Sequence, residues 1–238
     1  MDYSNFKIDM PNDVEFIINT IKSHGHQAYA VGGCVRDSIM GLTPNDWDIT
    51  TSALPSDIKE YFNKTIDTGI EHGTVTVMLH NVGYEVTTYR IDGEYKDGRH
   101  PSSVEFSDRL TDDLCRRDFT INAMAYNNIT GLVDEYGGID DINNRIIKCV
   151  GNPIERFTED ALRMMRSIRF SAQLGFTIEP DTFKAIEKLN RNIDKVSMER
   201  VCVELKKTLL SDNPDYCSLY ATTGLFNNIL PVIADNLT

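Results

Sequence analysis

The apolar residues of this sequence change their period near residue 150, which limits the fold to a mixed α/β head followed by a helical segment. Before that point strand-like runs alternate with short helices. Val14, Ile17, Ile18 and Ile21 recur at helical spacing behind an Asn/Asp cap, predicting a helix over 12–23. QAYAVGG reads as a strand ending in a glycine turn, and VRDSIMG as a short helix closed by Gly41. DWDITTS is β-rich and is followed by a helical DIKEYF. GTVTVMLH and GYEVTTYR are β-rich too, and the turn residues from Asn81 to Gly83 predict a hairpin between them. Residues 92–108 read as a long mobile loop, and DDLCRRDFTINAMAYN as a helix. Beyond residue 150 only helices are expected, in ERFTEDALRMMRSIRFSAQLG, EPDTFKAIEKLNRN and SMERVCVELKKTLLS. The expected fold class is therefore α+β, with a mixed, largely antiparallel sheet over 1–150 and an all-helical remainder.

Composition narrows the class. The 238 residues are 41% hydrophobic and 25% charged, which excludes a disordered, collagen-like or membrane-spanning chain. Asp2, Asp9, Asp13 and Glu15 leave no room for a secretory or basic transit leader, so a cytoplasmic protein with no membrane partner is expected. Five scattered cysteines without a Cys-x-x-Cys pair indicate reduced, mostly buried thiols. A net charge of -12 weighs against non-specific nucleic-acid binding, although local charge can override it.

Asp46 and Asp48 flank Trp47, and strand alternation puts both carboxylates on one face. Two carboxylates held together repel unless a divalent cation lies between them, the arrangement by which hard oxygen ligands hold Mg2+ for phosphoryl transfer. Glu85, on a neighbouring β-rich run, is the candidate third acid. Upstream, Gly32 and Gly33 mark a strand-to-helix turn where backbone N–H groups can approach a phosphate, and Arg36 adds positive charge. In 159–170, taken as one helix, Ala161, Met164, Met165 and Ile168 form a core stripe. Arg163 and Arg166 lie opposite, flanked by Asp160 and Arg169, as a local positive strip.

VGGCVRD, NDWDITTS, EHGTV, RRDFTINAMA and EDALRMMRSIRF follow one another in an order that resembles the class II CCA-adding enzymes. These are tRNA nucleotidyltransferases of the DNA polymerase beta-like superfamily. The resemblance covers residues 28–170, and SMERVCVELKK is similar to the segment that follows in the family's neck. One departure is Trp47, where an aliphatic residue is commoner.

The resemblance implies a catalytic head over 1–150, a neck with a base-recognition helix over 151–210 and the start of a shortened helical body over 211–238. It implies Mg2+-dependent transfer of C and A from CTP and ATP to a tRNA 3′ end, with a homodimer left open. Asp46, Asp48 and Glu85 become metal ligands. Arg117, Asp118 and Asn122 become contacts to the triphosphate and ribose, and Asp160, Arg163, Arg166 and Arg169 contacts to the nucleotide. Cytosine and adenine each present an amine beside an acceptor, so an Asp/Arg pair can accept both while rejecting uracil and guanine. A basic loop such as DGEYKDGRHPSSVEF is associated in the family with A addition. A-only, CC-only and poly(A) activity stay open, as does a catalytically inert RNA-binding fragment.

Overall fold

The computed structural model describes residues 6–93, 95 and 102–230. The stretch linked to A addition, residues 93–100, therefore falls for the most part outside the described residues. The chain divides into two compact units, Met1–Gly93 with Ser103–Ile142, and Glu94–Ser102 with Asn143–Thr238.

The first unit runs α1 (Asn12–Ser23), β1 (Ala28–Val31), α2 (Gly33–Ile39), β2 (Asp48–Thr51), α3 (Pro55–Tyr61), β3 (Thr65–Gly69), β4 (Thr74–Leu79) and β5 (Val82–Thr88). It continues with β6 (Arg90–Asp92), β7 (Val104–Phe106), α4 (Leu110–Cys115), β8 (Met124–Asn127), β9 (Gly131–Asp134) and α5 (Gly138–Asn143). Seven strands form one sheet in the order β3-β4-β5-β2-β1-β8-β9. Every neighbouring pair is antiparallel except β2 and β5, so the sheet is mixed and largely antiparallel, as expected. All four residues of β1 are buried because the sheet is covered on both faces. On one of them Tyr29 and Val31 pack with Leu110, Leu114 and Ala125.

Local signals placed several elements well. The β4–β5 hairpin turns through His80 and Asn81, both at positive φ (49° and 66°), the backbone that a two-residue primed turn requires. The turn is thus one residue earlier than the Asn81–Gly83 expectation. The first helix has Pro11, not Asn12 or Asp13, at its N-cap, without a side-chain cap. Asp13 is drawn away instead, accepting from Tyr84 at 3.2 Å and lying 3.1 Å from His80 Nδ1.

Residues 112–127 are not one helix. Asp118 Oδ1 accepts from the Phe119 N–H at 2.8 Å, a local side-chain bond that competes with helix continuation. The chain then makes a 3-10 turn and enters the sheet as β8, between β1 and β9. Within 92–108, the two flanks pair as β6 and β7 instead of remaining loop.

The second unit contains β10 (Ile146–Ile147), α6 (Pro153–Glu159), α7 (Leu162–Leu174), β11 (Thr177–Ile178), α8 (Pro180–Leu189), α9 (Met198–Leu209), α10 (Ser218–Thr222) and α11 (Leu225–Ile229). Its described residues from 143 to 230 are mainly helical, with one short parallel pair, β10 with β11. The expected helix through 159–170 breaks at Asp160, whose backbone is extended (φ -139°, ψ 105°). Its Oδ1 accepts from the Leu162 N–H at 3.0 Å at the start of α7. Burial of the cysteines is also less general than expected, since Cys34 and Cys149 are buried but Cys115 and Cys202 are exposed. Among the described residues no helix is long and apolar enough to cross a membrane.

Candidate active site

Asp48 opens β2, whereas Asp46 lies before the strand, so alternation along β2 places only Asp48. What joins Asp48 to Glu85 is the register of the parallel β2–β5 pair. Thr50 is opposite Thr87, and stepping back two residues on each strand puts Asp48 and Glu85 on the same face. Asp46, Asp48 and Glu85 line one cleft of about 680 Å³, together with Pro44, Asn45 and Trp47. Burial raises the pKa of Asp48, the Arg117 charge opposes that rise, and the Glu85 and Asp46 charges add to it. Burial first and the Asp48 charge second push the Cys34 thiol up to about 11.

This is an acidic pocket that gains from added positive charge. Among the described residues no group of three His, Cys, Asp or Glu side chains is arranged to hold a metal ion by itself. Such openness is compatible with Mg2+, which keeps several waters and takes one or two carboxylates plus substrate phosphates instead of a closed protein cage. The oxygen-only donor set and the mutual repulsion at Asp48 fit that ion.

Next to the acids lies the glycine turn. Gly32 has φ 84° and ψ -130°, a backbone open essentially to glycine alone, and a Cβ there would sit 3.0 Å from Arg117 Nη1. Gly32→Ala is therefore expected to cost about 1–3 kcal/mol, seen as a melting midpoint lower by roughly 2–12 °C. Gly33 has ordinary angles, with its nearest such contact at 3.6 Å. Gly33→Ala should stay within about 0.5 kcal/mol of wild type in the same melt.

Arg36 is 8% exposed and faces inward. It donates to Asn122 Oδ1 at 2.6 Å and pairs with Asp37 at 2.7 Å. That contact fixes the Asn122 amide so that its Nδ2 donates to Asp118 Oδ1 at 3.1 Å. Arg36, Asn122 and Asp118 thus form one buried chain across the base of the turn, with Arg117 beside it.

The base-recognition candidates lie in the second unit, and each has an internal partner. Asp160 accepts from Arg200 of α9 at 2.8 Å. Arg163 donates to Glu159 at 2.7 Å, and Glu159 is shared with Arg156. Arg169 is turned inward, 2.6 Å from Glu204, with its guanidinium 3.9 Å from the Phe170 ring centre. Arg166 reaches the same ring at 5.3 Å. The positive strip expected from 100° spacing is thus largely compensated by acids.

Sequence reasoning missed Asp113, Arg200 and Glu204. Asp113 stands three and four residues before Arg116 and Arg117, a helical pairing distance visible in DDLCRRD. Arg200 and Glu204 sit in SMERVCVEL, which periodicity identified only as amphipathic packing.

A family model described as "Poly A polymerase head domain" matches residues 28–148. A second, described as "Probable RNA and SrmB- binding site of polymerase A", matches 175–237. The chain is 48% identical over 218 residues to the CCA-adding enzyme of Ligilactobacillus salivarius, covering 86% of this chain and 54% of that protein. The crystal structure of the Bacillus stearothermophilus CCA-adding enzyme in complex with CTP superposes with a TM-score of 0.84 at 44% identity, over 91% of this chain and 53% of that one. A Thermotoga maritima CCA-adding enzyme complexed with tRNA gives a TM-score of 0.78 at 25% identity, over 97% and 56%. The chain spans about half the length of the curated relatives it matches.

Proposed function

The chain belongs to the poly A polymerase head-domain family, and from that premise we propose that it is the head and neck of a CCA-adding enzyme acting in the cytoplasm. The reaction is transfer of CMP and AMP from CTP and ATP to the 3′ end of tRNA. The terminal 3′-oxygen bonds to the α-phosphorus, the α–β phosphoanhydride bond breaks, and pyrophosphate leaves. The observation that carries this reading is the cleft where Asp46, Asp48 and Glu85 meet and where the Arg117 charge bears on Asp48. The relatives' names and the CTP and tRNA complexes support it.

Asp46 and Asp48, with Glu85, would hold Mg2+, which when bound supplies charge to activate the 3′-hydroxyl and stabilise the leaving oxygen. The glycine turn lets backbone approach the phosphates, with Arg117 as the adjoining cation. Asp118, oriented through Asn122 and Arg36, faces the ribose, whose 2′-hydroxyl both donates and accepts. Asp160 accepts from the exocyclic amine of cytosine or adenine, and Arg163 donates to the neighbouring ring acceptor. Arg200 and Glu159 hold these two side chains. Arg166 and Arg169 continue the nucleotide contact along α7.

Labelled CTP, ATP, UTP and GTP, each offered with tRNA lacking CCA, CA or A, test the proposal by product length on a gel. Expected are C incorporation on the first substrate, completion to CCA when CTP and ATP are both present, and A alone on the last. Only A, only C, or a run of A residues would replace the proposal with A-adding, CC-adding or poly(A) activity respectively. No incorporation of any nucleotide would leave an RNA-binding fragment.

A further inference from the structure

We propose that Asp113 is a positioning residue for nucleotide binding, a buried carboxylate that holds Arg117 against the glycine turn and ties it to the strand carrying Asp48. Asp113 is 0% exposed. Its Oδ1 accepts from Arg116 at 3.0 Å through Nε and at 2.6 Å through Nη2. Its Oδ2 accepts from Arg117 Nη2 at 3.0 Å and from Thr50 Oγ1 at 3.1 Å. A carboxylate offers about four lone-pair sites, so these donors saturate it.

The partners give the carboxylate its meaning. Thr50 lies two residues from Asp48 on β2, so both side chains leave the same face of the sheet. Arg117 reaches the other way with Nη1, which would stand 3.0 Å from a Cβ on Gly32. One acid thereby links α4, β2 and the glycine turn around a single guanidinium. Burial by itself would raise the Asp113 pKa, but the Arg116 and Arg117 charges and hydrogen bonds outweigh it and hold the carboxyl below its ordinary range. The acid stays ionised where a neutral one could not anchor two arginines. Ordering the long Arg117 side chain is then done in folding and not left to the moment of binding.

A purely stabilising acid would show the same contacts, so the test separates stability from alignment. It rests on the reading that the first unit binds a nucleoside triphosphate, and uses inorganic tripolyphosphate in Mg2+ buffer, which has the charge but no base or ribose. Calorimetric affinity and thermal midpoint are measured for wild type, Arg116→Gln and the double variant Asp113→Asn/Arg116→Gln. The double variant removes one charge of each sign, the buried Asp113 carboxylate and the half-buried Arg116 guanidinium. Arg116→Gln is expected to bind within about threefold of wild type, and the folded double variant about 10-fold or more weakly, the size of a lost charged hydrogen bond.

Equal affinity of the double variant and Arg116→Gln would overturn the proposal, as would failure of wild type to bind tripolyphosphate. If the double variant does not fold, Asp113→Glu keeps the charge but displaces it by one methylene. It should fold and bind about 10-fold more weakly, and wild-type affinity there overturns the proposal equally. A chain that follows the expected binding pattern yet transfers neither CMP nor AMP keeps the role of Asp113 and loses the functional reading.

Discussion

On the proposed reading, Asp46→Ala and Asp48→Ala are each expected to abolish transfer from both CTP and ATP, because either change would remove a ligand from the cation that the acidic cleft would hold. Losing several kcal/mol of charge stabilisation corresponds to a rate lower by about 10³-fold. More than about a tenth of the wild-type rate in either variant, a loss under about 1.4 kcal/mol, would rule out the metal role. Glu85→Gln should fall in the same direction. Fold loss can be told apart from ligand loss through Asp48. Its pKa is raised in the folded chain, so the ionised form is less favourable folded than unfolded. Neutralising it therefore removes a cost at neutral pH, and Asp48→Asn should melt no lower than wild type without metal while transferring no nucleotide. A melting midpoint clearly below wild type would assign the lost activity to the fold.

If Asp160 and Arg163 read the base as proposed, Arg163→Ala is expected to raise the apparent KM for CTP and ATP and to relax discrimination against UTP and GTP, since lost donors penalise the matching bases most. The drop in kcat/KM for the correct nucleotides is about 10- to 200-fold, one or more hydrogen bonds to a charged group. The structure sharpens this expectation. Arg163 is braced by Glu159 and Asp160 by Arg200, so the pair is oriented by its surroundings. Activity that falls with the ratios among CTP, ATP and UTP unchanged would make Arg163 a structural or phosphate contact and defeat base reading by Asp160 and Arg163. The acidic cleft, which uses other residues, would be untouched by that result.

What the sequence determined by itself is local. The first helix, the β1–turn–α2 unit, the β4–β5 hairpin and helices α8 and α9 follow from hydrophobic period and turn residues, because backbone geometry repeats over a few positions. The spacing of Asp46 and Asp48, and the motifs around them, were legible for the same reason. Tertiary structure decided β8, whose four buried residues carry no periodic signature and become a strand only by pairing with β1 and β9. It also ended a helix at Asp160, where a side chain bonds the next turn's amide. The meeting of Asp48 with Glu85 depends on the parallel register of two strands distant in sequence. So does the character of each charge: Arg36 is expected from sequence to add charge beside a phosphate and Arg169 to extend a positive strip, yet Arg36 is drawn to Asp37 and Asn122 and Arg169 into a buried pair with Glu204. Burying a charge is unfavourable without a hydrogen-bonded partner. Which acid supplies that partner, as Asp113 does for Arg117, is settled only when distant segments pack together.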